Sequence, residues 1–353
     1  MAIPREKGLV RLYIQLADIR PARGERFDRS AVTEVMIFDA ARKILLPYKI
    51  SYHLNDCVFI AGDAVHTYSH KAGQGKNFSM QDTYNLVWKI GAVVQKTASR
   101  SPLSTYESER RMLALQLVDF DPKFSHLFSG RPAKGIADDV GISIGELREA
   151  LEQGNRFTSQ ISLKYEPSLA VAECPSDKNH RVGVPAYLVG LTVGMRFPSF
   201  QVVCQCGATP RQLGDVLESD GLWRLIVFSG AVTSRDIRTL SRTQAIGDRL
   251  LESESPLNNA AILPLLVHAS ARREVELLDM PRAFYTQRNT DAYDYHRVFP
   301  DDLSYRHGHG HAYEKYGLDK GKGRLVLVRP DHYISWEVSW TASKQLRNSY
   351  QKP

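Results

Sequence analysis

The chain has 353 residues, 24% charged and 43% hydrophobic, with 24 Gly and 17 Pro. Such usage excludes disordered, collagen-like and coiled-coil classes, and the length corresponds to two or three domains at ~100–200 residues each. The net charge is +7, but the basic residues are scattered and no basic run is interleaved with aromatics, which argues against nucleic acid. The four cysteines, Cys57, Cys174, Cys204 and Cys206, make no C-x-x-C pair, so a disulfide scaffold or zinc ribbon does not fit. No stretch approaches the ~20 apolar residues needed to span a bilayer, and the first residues lack a signal-type apolar run. A soluble cytoplasmic protein without a membrane partner is expected.

In chain order, Leu9–Leu16 alternates as a strand does, and Ala31–Leu46 reads as a helix stopped by Pro47. Val58–Ala61 is a short unbroken apolar run, the pattern of a strand buried on both faces. It stops at Gly62-Asp63 and is followed by the glycine-rich loop Lys71–Gly75. Ser79–Gln95 is helical and apolar on nearly every side, which predicts full burial, with Gly91 allowing close backbone approach. A second helix starts at Ser104-Thr105-Tyr106-Glu107, a capping-box spacing, and runs to about Phe120. Residues 134–157 are helical and polar, and 160–185 read as a linker rich in Pro, Ser and charge.

Beyond the linker the pattern changes. Leu222–Phe228 and Ile262–His268 are strands separated by an amphipathic helix, Ser234–Leu251. Leu325–Val328 and Tyr333–Val338 form a hairpin about the turn Arg329-Pro330-Asp331-His332, and Thr341–Ser349 closes as a helix. Strand, helix, strand, hairpin and helix is the order of a thioredoxin-like α/β domain. The loop after its first strand, Ser229–Thr233, has no cysteine, so a structural role is expected for it. Cys204-x-Cys206 reads as a pair of reduced thiols, and His307-Gly-His-Gly-His311 as a solvated loop.

The chemistry concentrates between Gly62 and Asn77. An Asp delivered by a buried strand to a sheet's carboxyl edge can accept from a sugar-like hydroxyl, because ligands of open α/β sheets sit at that edge. The Gly73-Gln74-Gly75 loop lets backbone N–H groups approach a flat or anionic ligand, and the following helix points its positive end there. Gly62-Asp63-Ala64-x-His66, Gly73-Gln74-Gly75, Asn77, Asp82, Asn85-Leu86 and Trp88-Lys89 together resemble the ribityl-binding motif of class A flavoprotein monooxygenases. The run Phe120–Pro132, with Ile3-Pro4-Arg5-Glu6, Leu9-Val10-Arg11 and Val328-Arg329-Pro330-Asp331, is similar to the fungal phenol 2-monooxygenase branch.

The resemblance covers nearly the whole chain and carries the following expectations. The fold is α/β, a partial FAD-binding/substrate domain of the flavoprotein monooxygenase type followed by a thioredoxin-like domain. Residues 1–50 would be a remnant of the substrate-domain sheet, 51–159 the C-terminal part of the FAD-binding domain, and 186–353 the dimerisation domain. Asp63 would bind the ribityl hydroxyls of FAD, Gly73, Gln74 and Gly75 would line the isoalloxazine ring, and Asn77 would contact it at the helix start. Gly62, Lys71 and Lys76 complete the cofactor-binding set. With NAD(P)H as reductant and O2, such an enzyme would hydroxylate a small aromatic substrate, and it would form a homodimer.

Three departures from the family pattern bear on this. No G-x-G-x-x-G occurs in the chain, the connection from Pro47 to Val58 is short, and His70 stands where the family has proline. They suggest a truncated enzyme or, alternatively, a non-catalytic degenerate paralogue acting through its dimerisation domain. His66 reads as a packed loop residue, and Asp82 as a surface or helix-packing carboxylate.

Overall fold

The computed structural model describes residues 2–4, 10–12, 36, 59–65, 75–116, 145, 148, 152, 163–173, 190–232, 237–252, 255, 261–286, 292–305 and 310–339. The chain divides into two compact units, Met1–Phe59 and Ile60–Pro353. In the first, β1 (Ala2–Pro4) pairs antiparallel with β2 (Val10–Leu12), placing Ile3 opposite Arg11. β2 falls within the expected strand at 9–16, and Met36 is helical within the expected helix at 31–46. The rest of both lies outside the described residues.

The second unit is built on a five-stranded sheet in the order β7-β6-β5-β8-β9. Its members are β5 (Trp223–Gly230), β6 (Ile262–His268), β7 (Val298–Pro300), β8 (Arg324–Val328) and β9 (Ile334–Ser339). β5 runs parallel to β6 and antiparallel to β8, which pairs antiparallel with β9. The central strands read as continuous apolar runs because both faces are covered. Ile226, Phe228, Leu265, Val267, Val326 and Val328 enter one core with Tyr313 and Tyr316. Leu225, Val227, Leu266 and Leu325 enter the other. That second core is closed by Phe284 and by Ile246 and Leu250 of the helix Ile237–Leu251. Each such side chain contributes roughly 1.5–3 kcal/mol by leaving water.

The strand expectations at 222–228, 262–268, 325–328 and 333–338 agree with this sheet to within about two residues. Two shorter pieces had no legible pattern: edge strand β7, and the hairpin of β3 (Gln201–Val203) with β4 (Pro210–Gln212). Part of the expected linker is core. Tyr165 and Val171 are buried, and Tyr165 N–H donates to the Gly194 carbonyl at 2.9 Å. Ala172 N–H donates to the Ser335 carbonyl at 2.8 Å. Single-residue bridges such as Lys164 with Met195 hold this segment, and they impose no periodicity a sequence could display. Residues 145, 148 and 152 are helical within the expected helical region. The closing helix at 341–349 lies outside the described residues.

Two helices pack on this sheet domain. The first is α1 (Gly75–Val94) and the second, α2, spans 105–116. α1 differs from the all-round burial expected of it. Its inward face combines Phe78, Leu86 and Trp88 with Asp82, Asn85 and Lys89, whereas Met80, Val87 and Val94 are exposed. Among the described residues, a Cβ at Gly91 would meet nothing within 4 Å, in place of the close approach expected there. At the start of α2, Ser104 donates back to the Ser101 carbonyl and Glu107 reaches Arg111, in place of the expected capping box.

The polar residues face inward because a buried ionic cluster waits for them. Arg329, in the β8–β9 turn, grips Glu109 of α2 through two bonds, Nη1 to Oε1 at 2.6 Å and Nη2 to Oε2 at 2.9 Å. The same guanidinium holds Asp331 at 2.9 and 2.7 Å. Lys89 Nζ donates to Glu109 at 2.9 Å, and Asn85 Nδ2 to Glu109 at 2.7 Å. Burial pushes the Glu109 carboxyl up, but Arg329, then Lys89 and the Asn85 hydrogen bond, outweigh it and hold it at about 2. Burial lowers Lys89 to about 8 against the pull of Glu109.

Glu109→Gln leaves Arg329 and Lys89 buried with a missing counter-charge and is expected to cost about 3–5 kcal/mol in urea unfolding at neutral pH. The folded carboxyl titrates near 2 and the unfolded one near 4.5, so its contribution is complete above 4.5 and is lost as pH falls toward 2. Wild-type stability therefore drops across that window, and the Glu109→Gln profile is flatter there. Parallel profiles would show that this carboxylate does not carry the acid limb.

Candidate functional site

The site is built from a turn laid against the start of a helix. Residues 59–61 are extended but are not in a strand, and Ile60 is 58% exposed. The expectation of a doubly buried strand at 58–61 is thus corrected for 59–61. Among the described residues no strand lies beside them, and the Ile60 carbonyl is satisfied by the Tyr106 hydroxyl at 2.8 Å. The segment leads into a single 3-10 turn, Gly62–Ala64.

Gly62 is required there twice over. Its φ is +62°, a left-handed conformation costly for other residues, and a Cβ would lie 2.9 Å from the Ser79 Cβ. The turn thereby sits directly on α1. Gly62 N–H donates to Asp82 Oδ2 at 3.0 Å, and Arg110 Nε holds Asp82 Oδ1 at 2.6 Å. Arg110 Nη1 also donates to the Tyr165 hydroxyl at 3.2 Å. Asp82, at 2% exposure, takes the helix-packing and not the surface alternative, and it also fixes the turn that contains Asp63.

The structure therefore brings Gly62 and Asp63, in the turn, to the helix whose first turn contains Gly75, Lys76 and Asn77. Asn77 is exposed. Lys71, Gly73, Gln74, His66 and His70 lie outside the described residues. The donor chemistry fits a flavin's polyol and electron-rich ring. The first turn of α1 carries no acidic side chain, so its N–H groups and positive end are not neutralised from within. The Gly62–Ser79 contact admits no side chain, and the Gly62 N–H bond to Asp82 ties the turn to the helix.

Sequence reasoning missed the supports of this site: Arg110, Glu109 and Arg329. A signal was present in Asp82, Asn85 and Lys89, whose spacing of three and four puts polar groups along one helical face. The signal is hidden because their partners lie as far as 246 residues away, for the Asn85–Asp331 pair. The tract ending at His311 contributes an exposed contact from that histidine to Glu314 at 3.4 Å. His307 and His309 lie outside the described residues.

Residues 163–352 match the family model "Phenol hydroxylase, C-terminal dimerisation domain", and residues 17–121 match "FAD binding domain". The chain is 36% identical over 365 residues to phenol 2-monooxygenase fsqG of Aspergillus fumigatus, covering 98% of this chain and 59% of that protein. It is 33% identical to 3-hydroxybenzoate 4-monooxygenase of Comamonas testosteroni, covering 95% of this chain and 56% of the relative. It is 38% identical over 279 residues to pentachlorophenol 4-monooxygenase of Sphingobium chlorophenolicum, covering 78% and 41%. The chain thus spans little more than half the length of the first relatives it matches. By its matched domains and these relatives, it belongs to the phenol hydroxylase family of FAD-dependent monooxygenases.

Proposed function

We propose that the chain carries the flavin-binding and dimerisation parts of an FAD-dependent monooxygenase that hydroxylates a phenolic substrate with NAD(P)H and O2. The observation that carries this reading is the Gly62–Ala64 turn clamped to the start of α1 by Asp82. Bound FAD, reduced by NAD(P)H, would supply the oxygen chemistry. The chain's own residues bind and orient it. Asp63 accepts from ribityl hydroxyls, and Gly62 and Gly75 keep the backbone close. Lys71, Gly73, Gln74, Lys76 and Asn77 would be its further contacts. Asp82 and Arg110 act as positioning residues behind it.

The C-terminal part is read as a thioredoxin-like dimerisation scaffold. A parallel β5–helix–β6 unit followed by the antiparallel β8–β9 hairpin supports this, in the order β6-β5-β8-β9 with β7 added at the edge. The family description of residues 163–352 supports a homodimer. Sedimentation at micromolar concentration is expected to give a dimer, and a monomer at tens of micromolar would remove that assignment.

Titration with FAD is expected to quench flavin fluorescence with a micromolar or tighter Kd. Asp63→Ala should weaken binding on the order of 10–100-fold, the value of hydrogen bonds to a charged acceptor, with the melting temperature of the apo chain unchanged. Gly62→Ala should lower both affinity and melting temperature, because the left-handed backbone alone costs about 1–2 kcal/mol. Adding Ser79→Gly should recover only the part due to the clash. No quenching at saturating FAD would sink the flavin reading and leave dimerisation as the chain's role.

A further inference from the structure

Away from the flavin cradle, the structure gathers three metal-type ligands from distant parts of the chain. Cys204 Sγ lies 3.5 Å from Cys206 Sγ, and each is 3.6 Å from His296 Nδ1. A tetrahedral zinc ion at ~2.3 Å from sulfur and ~2.0–2.1 Å from nitrogen sets its ligand atoms about 3.8 Å (S···S) and about 3.5 Å (S···N) apart. All three separations stand within ~0.3 Å of that geometry. We propose that Cys204, Cys206 and His296 form a zinc site, with its fourth position open to water.

The site is held in shape by its surroundings. Cys204 and Cys206 occupy the turn of the β3–β4 hairpin, closed by Cys204 N–H to the Thr209 carbonyl at 2.8 Å. Ala208 N–H donates to the Cys204 carbonyl at 2.9 Å, with Ala208 at φ +52°. Gln205, between the thiols, is buried and tied down at both ends. Its N–H donates to the Val298 carbonyl at 2.9 Å. Its Nε2 donates to the Arg272 and Val275 carbonyls at 3.0 and 2.6 Å. Its Oε1 lies 3.2 Å from His268 Nε2. With Gln205 turned inward and fixed, both thiols are committed to the side where His296 stands.

His296 is presented as firmly. It lies in the turn Tyr295–Arg297 at the entry to β7, and its N–H is accepted by Asp294 Oδ1 at 3.1 Å. Arg297 holds the other Asp294 oxygen at 3.3 Å. Two thiolates and an imidazole select a borderline-soft ion over magnesium or calcium, and two thiolates balance a divalent charge. Cys204 is buried while Cys206 and His296 are exposed, so ion and water reach the cluster from one side. Bound there, the ion clasps the β3–β4 hairpin to the edge strand β7.

The test uses the whole chain, reduced with a phosphine and stripped with chelator. Titration with Co2+ is expected to give the intense visible bands of a tetrahedral thiolate site at one equivalent. Zn2+ should bleach them and raise the melting temperature. Cys206→Ser and His296→Ala change exposed side chains, so far-UV circular dichroism should be unchanged. Each should weaken binding by more than the ~10–100-fold that loss of an outer-sphere partner costs. Absence of tetrahedral bands in the reduced wild type overturns the site. So do bands that survive Cys206→Ser but vanish when His307, His309 and His311 are replaced.

Discussion

The packing of α1 and α2 on the sheet domain depends on one contact, the two-bond grip of Arg329 on Glu109. Burying a carboxylate and a guanidinium together costs several kcal/mol per ion in lost hydration, and attraction offsets this only when every remaining lone pair and proton is used. Here they are used. Arg329 also holds Asp331, Glu109 also accepts from Lys89 and Asn85, and the guanidinium lies 5.3 Å from the Trp88 ring centroid and 5.2 Å from that of Tyr165. A flat ion between aromatic faces and two carboxylates has little freedom to shift. Lysine in its place would keep the charge and lose the fork that fixes the angle.

This contact determines where the proposed flavin cradle can stand. The β8–β9 turn presents Arg329 at a bend in which His332 adopts φ +69° and donates its N–H to the Arg329 carbonyl at 2.9 Å. Tyr84 of α1 meets the same turn through the Pro330 carbonyl at 2.9 Å, and Trp88 packs edge-on against Trp223 at the start of β5. One helix therefore carries both loads. Tyr84 and Asn85 bind it to the β8–β9 turn and Lys89 binds it to Glu109 of α2, while Ser79 and Asp82 meet the Gly62 turn. The cradle inherits its rigidity from the sheet through α1, with Arg110 and Tyr165 as a second tie.

What the sequence made legible follows from the range of the forces involved. β5, β6, β8 and β9 could be placed because burial on both faces writes itself into consecutive residues. The Gly62-Asp63 and Gly73–Gly75 segments could be picked out because a ligand cradle needs glycine at fixed local offsets. β7 could not, since three residues of edge strand carry no period, and neither could the core role of Tyr165 within a polar, proline-containing segment. The thiols of Cys204 and Cys206 were visible as a pair, but His296 reaches them only because β7 lies beside the β3–β4 turn.

The misreading of α1 is the most informative of these differences. An apolar helix was expected to be buried all round, yet it faces inward with Asp82, Asn85 and Lys89 and outward with Met80, Val87 and Val94. Hydrophobicity alone ranks those six residues the other way. The ranking fails because burial is decided by the partner available, and a lysine facing Glu109 has a better place inside than a valine does. An apolar contact would tolerate several registers of α1 on the sheet domain. The ionic contact tolerates one, since a shift of a single residue would leave Lys89 and Asp82 buried without their counter-charges. In this chain the buried charges serve position as much as stability: they fix the helix on which the proposed flavin cradle would be built.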